Sequence, residues 1–180
     1  MANVVRILLL GKTGVGKSSF INYFLGKDVA AAGAGRPCTQ ELTKYVLNEW
    51  PDTSIELYDS KGLEVKDADN WTQQIIKELE EKSRLDFTER YHTIFYCISA
   101  QRKIESYEEK TLKELQKAAD QPIHVILTHC DNMADDKLEE RERCLKEKIS
   151  KTLCIYRITS IDKNQKRWYY YKEKRTRRSC

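Results

Sequence analysis

The chain of 180 residues is 33% charged and 40% hydrophobic with seven Gly and three Pro, an ordinary globular composition that excludes the disordered and fibrous classes. At this length folding removes roughly 70% of the unfolded surface from water, so one domain can form without a disulfide or metal staple. The formal charge is +4, and because most of the excess sits in the terminal run Lys172, Lys174, Arg175, Arg177 and Arg178, a nucleic-acid-binding face is not implied.

In chain order, Val4–Leu10 is a nearly continuous apolar run rich in β-branched residues, the pattern of a strand covered on both faces. Gly11 ends it. Phe20, Ile21, Phe24 and Leu25 share one face of a helix expected over Lys17–Leu25, and Gly26 supplies its stop. Positions 26–40 carry Gly26, Gly33, Gly35 and Pro37 among small residues, which predicts a loop. Thr43–Leu47 and Ile55–Tyr58 read as strands joined by the turn-like Trp50, Pro51, Asp52 and Thr53, an antiparallel pair. After Asp59 the pattern predicts a helix over Trp71–Leu85, a strand over His92–Ile98, a helix over Tyr107–Ala119 and a strand over Ile123–Leu127. A helix over Lys137–Ile149 and a strand over Leu153–Ile158 follow, then a last helix over Asn164–Lys174 that buries part of the Trp168, Tyr169, Tyr170, Tyr171 run. Glu139 with Arg143, and Glu142 with Lys146, stand at i,i+4 and predict a solvated helix face.

Helices between strands require crossovers. The expected fold is therefore α/β, a three-layer sandwich with a mostly parallel six-stranded sheet, one antiparallel edge strand, and ligands collected at the carboxyl ends of its strands. Residues 1–175 read as this domain, and 176–180 as a basic tail or the start of a linker.

The six Cys, at positions 38, 97, 130, 144, 154 and 180, contain no C-x-x-C spacing, so a structural zinc site is not expected. Cys97 and Cys154 lie in apolar stretches where a reduced thiol packs as a small hydrophobe. The amino terminus lacks the pattern of an export signal, and a cytoplasmic, reducing location is expected. No apolar run approaches the roughly 20 residues that span a bilayer.

The sharpest feature is Gly11, Lys12, Thr13, Gly14, Val15, Gly16, Lys17, Ser18, a G-x-x-x-x-G-K-S pattern between a predicted strand and a predicted helix. Consecutive backbone N–H groups wrap a phosphate only where the loop turns tightly without Cβ clashes, which suits Gly11, Gly14 and Gly16. The amino end of the helix adds its positive field. Lys17 is expected to reach the β- and γ-phosphates, and the Ser18 hydroxyl to ligate Mg²⁺.

Asp59, Ser60, Lys61, Gly62 follows the next hydrophobic strand, so Asp59 can bind Mg²⁺ through water and the Gly62 N–H can sense a γ-phosphate; a strand-ending Asp with a turn glycine would look the same. Thr39, in the Gly-rich loop, either completes the Mg²⁺ shell or is a plain loop threonine. Thr128, His129, Cys130, Asp131 closes a later strand. The Asp131 carboxylate can accept the N1–H and N2–H of guanine, whereas adenine presents an unprotonated N1 to it. Use of His129 and Cys130 as base and nucleophile is disfavoured, because adjacent side chains at a strand end diverge.

In order and spacing these residues resemble the translation-factor-type small GTPases over nearly the whole chain. The resemblance rests on Gly11–Ser18 with Ser19 in the wording G-K-T-G-V-G-K-S-S, on Thr39, on Asp59–Gly62 and on Thr128–Asp131. Thr159, Ser160 and Ile161 look like the loosely patterned segment whose backbone contacts guanine. It implies a Ras-like domain, GTP and GDP, Mg²⁺, and two nucleotide-switched loops at about 28–42 and 60–71. The G-K-T-G-V-G-K-S-S, the P-C-T around Thr39 and the T-H-x-D resemble the septin, AIG1 and chloroplast-import-receptor branch and the bacterial Era-like GTPases. That likeness implies that His129 replaces the usual lysine beside guanine, and that two copies associate through their nucleotide faces.

Leu63 stands where glutamine-using members orient water, and it cannot hydrogen-bond to water. Gly14 departs from the asparagine of potassium-assisted members. Arg36 is a candidate arginine finger or a solvated loop residue, and Glu64 either touches the attacking water or faces solvent. The expected chemistry is slow attack of water on the γ-phosphorus of GTP, with Lys17, Thr39 and Gly62 taking part. The alternatives are a nucleotide-controlled scaffold with negligible hydrolysis and a P-loop kinase; D-x-x-G with T-H-x-D weighs against the kinase.

Overall fold

The structure, a computed structural model, describes residues 3–26, 42–60, 62–159 and 169–170. Five strands run parallel: β1 (Asn3–Gly11), β3 (Thr53–Asp59), β4 (Thr93–Ser99), β5 (Ile123–Thr128) and β6 (Cys154–Thr159). β2 (Thr43–Trp50) lies antiparallel on β3 at one edge, and a two-residue β7 (Tyr169–Tyr170) lies antiparallel on β6 at the other. The strand order is β2-β3-β1-β4-β5-β6-β7. The expected six-stranded, mostly parallel sheet is thus present, lengthened by the short β7.

Among the described residues four helices complete the layers: α1 (Lys17–Leu25), α2 (Ala68–Ser83), α3 (Ser106–Ala118) and α4 (Asp135–Lys148). Alternation along β1 divides the core. Leu8 and Leu10 turn to Trp71, Ile75, Leu112, Leu115, Leu138 and Leu145 on the α2, α3 and α4 side, while Ile7 and Leu9 turn to Phe20, Ile21 and Leu25 of α1. Burying each such side chain stabilises the fold by roughly 1.5–3 kcal/mol, which holds the layers to the sheet. α1 has the bounds read from sequence, because Gly16 and Gly26 both adopt left-handed backbone there, and the Gly26 N–H closes the last turn on Asn22 and Tyr23 carbonyls. α3 begins with a reciprocal capping box between Glu105 and Glu108.

Register sets the site. Leu9 pairs with Asp59, Gly11 with Cys97, and Ser99 with Thr128, so β1, β3 and β5 end at one rim of the sheet.

Four expectations change. The predicted helix over Asn164–Lys174 is a strand where it is described: Tyr169 pairs with Thr159 and Tyr170 with Ile158. Consecutive tyrosines favour a pleated, half-buried surface over a helix, and an open edge of β6 was available. Cys154 is exposed at the first position of β6 rather than packed. Glu142 does not lie on a wholly solvated face; it crosses to the Arg157 guanidinium on β6, with both side chains largely buried. α2 begins at Ala68 after a 3-10 turn at Val65–Asp67, so the last part of the expected 60–71 loop is already helical. Among the described residues no helix is long and apolar enough to cross a membrane.

Candidate functional site

The phosphate-loop sequence does form a tight turn between β1 and α1. Gly11, Gly14 and Gly16 take φ values of 142°, 77° and 95°, all in the region that side chains avoid. Lys17, in the first turn of α1, is 8% exposed. Its Nζ donates to the Gly11 carbonyl at 3.0 Å and the Lys12 carbonyl at 3.2 Å, folding the side chain back over the loop. Burial pushes its pKa down, and the Asp59 carboxylate pulls it partly back. Ser18 and Ser19 lie half-buried in the same helical turn, with Val15 buried and Thr13 and Gly14 exposed.

Asp59 ends β3 beside this lysine. Burial raises its carboxyl to about 6, against the opposing pull of Lys17. Its Oδ1 is buried with no hydrogen-bond partner among the described residues. An orphaned carboxylate oxygen at the mouth of a phosphate-type loop suits a hard, oxygen-seeking divalent cation, so the donor set fits Mg²⁺.

Gly62 packs directly on the loop: a Cβ there would lie 2.3 Å from Thr13 Oγ1 and 2.8 Å from the Thr13 backbone nitrogen. The next residue stitches the two segments together, with the Leu63 N–H donating to Gly11 O at 3.1 Å and the Thr13 N–H donating to Leu63 O at 3.2 Å. The Leu63 side chain is fully buried in the larger core. It is withdrawn from the site. Glu64 is exposed.

The T-H-x-D turn meets the loop from β5. Thr128 Oγ1 donates to Val15 O at 2.5 Å and lies 3.2 Å from Ile98 O. His129 adopts left-handed backbone, φ 55°, and its ring lies so close to the loop that a Cβ on Gly16 would sit 3.1 Å from Cε1. Asp131 is exposed in the 3-10 turn Cys130–Asn132 that follows. Cys130 is buried, its Sγ bonds to Leu127 O, and burial pushes its thiol up to about 11, which removes it as a nucleophile near neutral pH.

Three ties escaped the sequence reading. They are the Thr128 bond to Val15 across 113 residues, the Leu63 bridge to the loop, and the pairing of Lys12 Nζ with Glu105 across 93 residues, where Lys12 also lies 5.4 Å from the Tyr107 ring centroid. Periodicity carries no signal for contacts so distant in sequence. Arg36, Thr39, Lys61, Ser160 and Ile161 lie outside the described residues, as do Trp168 and Tyr171.

The family model described as 50S ribosome-binding GTPase matches residues 6–129, well over half of the chain. The chain belongs to the 50S ribosome-binding GTPase family. The matched span of this family runs from β1 through His129 and so takes in the phosphate loop, the Asp59–Gly62 turn and the start of the T-H-x-D turn.

Among curated relatives, the probable GTP-binding protein EngB of Streptococcus sanguinis is 23% identical over 149 residues, 82% of this chain and 73% of that protein. Among solved structures, Toc33 from Arabidopsis thaliana in complex with Mg²⁺ and GMPPNP has a TM-score of 0.65 at 17% identity, covering 87% of this chain and 70% of that one. Era in complex with MgGDPNP and nucleotides 1506–1542 of 16S ribosomal RNA has a TM-score of 0.67 at 20% identity, covering 88% of this chain and 51% of that one. A further structure, of the chloroplast translocon components atToc33 and psToc159, for which dimerization is important for GTPase activity, has a TM-score of 0.68 at 16% identity and covers 87% of this chain and 70% of that one. At these identities the structural likeness establishes the Ras-like fold shared with GTPases.

Proposed function

We propose that this chain is a guanine-nucleotide switch that hydrolyses GTP to GDP and phosphate slowly. The observation that best supports this reading is the Thr128 hydroxyl bond to Val15 O at 2.5 Å, which fastens the T-H-x-D turn onto the phosphate loop. In this reading the backbone N–H groups from Gly14 to Ser19 hold the phosphates. The Lys17 ammonium exchanges the Gly11 and Lys12 carbonyls for the β- and γ-phosphates. Asp131 selects guanine, His129 packs beside the base, and the backbone of Ser160 and Ile161 contacts it. Ser18, Thr39 and Asp59 would hold Mg²⁺, which when bound neutralises phosphate charge. The Gly62 N–H senses the γ-phosphate.

Leu63 is locked into the core by two backbone bonds, so no side-chain amide at that position orients the attacking water. Slow turnover follows from this, as does a site completed by a second copy or another protein at the nucleotide face. The free thiols of Cys97, Cys130, Cys144 and Cys154 are consistent with action in the reducing cytoplasm. The same buried Leu63 favours, as the second reading, a nucleotide-controlled scaffold without hydrolysis.

Multiple-turnover phosphate release separates the readings. The switch predicts slow release from GTP that disappears in Lys17→Ala; tight GTP binding without release points to the scaffold, and transfer of labelled γ-phosphate to an acceptor other than water points to a kinase. Light scattering with a non-hydrolysable analogue tests the dimer, and a strict monomer at high protein concentration would rule it out.

A further inference from the structure

Lys12 ties the phosphate loop together by backbone and side chain at once. Its carbonyl accepts from the Val15 N–H at 3.4 Å and from Lys17 Nζ at 3.2 Å, and its backbone bridges to Leu63 just past the Asp59–Gly62 turn. Its ammonium reaches α3. There, among the described residues, it pairs with the Glu105 carboxylate and lies 5.4 Å from the Tyr107 ring centroid, within cation–π range. The hydrogen bond to Glu105, with Tyr107 second, raises the pKa of this ammonium and keeps it charged.

The support beneath Glu105 is fixed. Glu105 and Glu108 close the capping box at the amino end of α3, the Glu105 N–H donating to Glu108 Oε2 at 3.1 Å. The segment that leads into it from β4 is held on two sides: the Ala100 N–H donates to Thr128 O at 2.8 Å, and the Arg141 guanidinium of α4 donates to Ala100 O at 3.0 Å. A side chain on a fixed base can set the position of the group it holds.

Charge alone gives no reason for an acid here. A carboxylate bonded to a residue of a loop suited to a polyanion repels that ligand. Stability gives little more, because the pair is partly exposed, 20% for the Lys12 side chain and 48% for that of Glu105, and such ion pairs contribute little to folding.

We infer that Glu105 is a positioning residue for the phosphate site, acting through Lys12. It pins the Lys12 side chain to α3, which fixes the carbonyl that holds Lys17 and the turn that carries the Val15 N–H. The loop is thus ordered before its ligand arrives, and less ordering remains to oppose binding. The inference rests on the switch reading, since it takes that ligand to be a guanine nucleotide.

The test is a double-mutant cycle, read by titration calorimetry of the full chain with GTP and with GDP. Glu105→Gln keeps an acceptor for the Glu108 N–H, so the cap of α3 survives. It is expected to weaken both nucleotides about 3-fold, although it removes a negative charge beside the phosphates. In a Lys12→Met background there is no ammonium to hold, and the same substitution is expected to leave affinity unchanged or slightly tighter. Unchanged or tighter binding by Glu105→Gln in the parent overturns the inference, since the carboxylate then acts as a charge or not at all. Equal weakening in both backgrounds overturns it too, assigning the loss to the α3 cap. Either result leaves the switch reading standing. A parent chain that binds no guanine nucleotide removes the switch reading, and the inference with it.

Discussion

The two ends of the candidate pocket are built on opposite principles. At the phosphate end, a lysine 8% exposed and a carboxyl raised to about 6 sit together out of solvent, each with a pKa displaced by burial. At the T-H-x-D end, the proposed base end, Asp131 stands exposed on a short turn, positioned by the Thr128 hydroxyl bonded to the loop and by the left-handed backbone of His129. The first arrangement holds charge in an unfavourable place where a polyanion and a cation would relieve it. The second costs the fold little and, under the proposed function, would confer selectivity only when a matching base arrives. Affinity is therefore expected to reside at the phosphate end and discrimination at the base end.

The sharpest way to break this division is Lys17→Ala. Removing a buried ammonium that should meet the triphosphate is expected to cost about 3–5 kcal/mol of GTP binding, read by titration calorimetry, and to affect GTP and any ATP binding alike. An Asp131→Ala change should lower GTP and GDP affinity by about 2–3 kcal/mol and leave the weak ATP affinity where it was. If ATP binding fell equally, discrimination would not be local to the turn.

The electrostatic half of the contrast has its own pH signature. Asp59 binds its proton more tightly folded than unfolded, rising from 3.8 to about 6. Its contribution to stability is therefore full below pH 3.8 and is lost as pH rises through about 6, a swing of at most ~3 kcal/mol. Urea denaturation of the nucleotide-free, Mg²⁺-free protein should show Asp59→Asn more stable than the parent above pH 6 and equal to it near pH 4. The smallest effect is expected for Thr128→Val, which removes the tie to Val15 and should cost about 1–2 kcal/mol of stability, leaving a buried carbonyl unpaired. Thermal unfolding of that variant measures it, and no change would mean that the two ends are coupled by other contacts.

The elements of the fold were legible because local rules agreed with the tertiary outcome. Lys17–Leu25 is bracketed by glycines that only a helix end requires, and the apolar run of β1 is what a strand buried on both faces must be. The phosphate loop, the Asp59 turn and the T-H-x-D turn were visible as motifs, and the register of the strands brings their ends to one rim. What could not be read was decided across space. Glu142 has a lysine one turn along its helix yet pairs with Arg157 of β6, and Cys154 lies in an apolar stretch that reaches the surface. Tyr169 and Tyr170 fit a helical period as well as a strand, and the free edge of β6 settled the choice.

Isothermal titration of the purified chain with GTP, GDP and ATP, each with and without Mg²⁺, tests the single pocket most directly. Guanine nucleotides should bind, the triphosphate should gain most from Mg²⁺, and ATP should bind at least ~100-fold more weakly. ATP binding as tight as GTP binding, or a triphosphate affinity indifferent to Mg²⁺, would contradict the account.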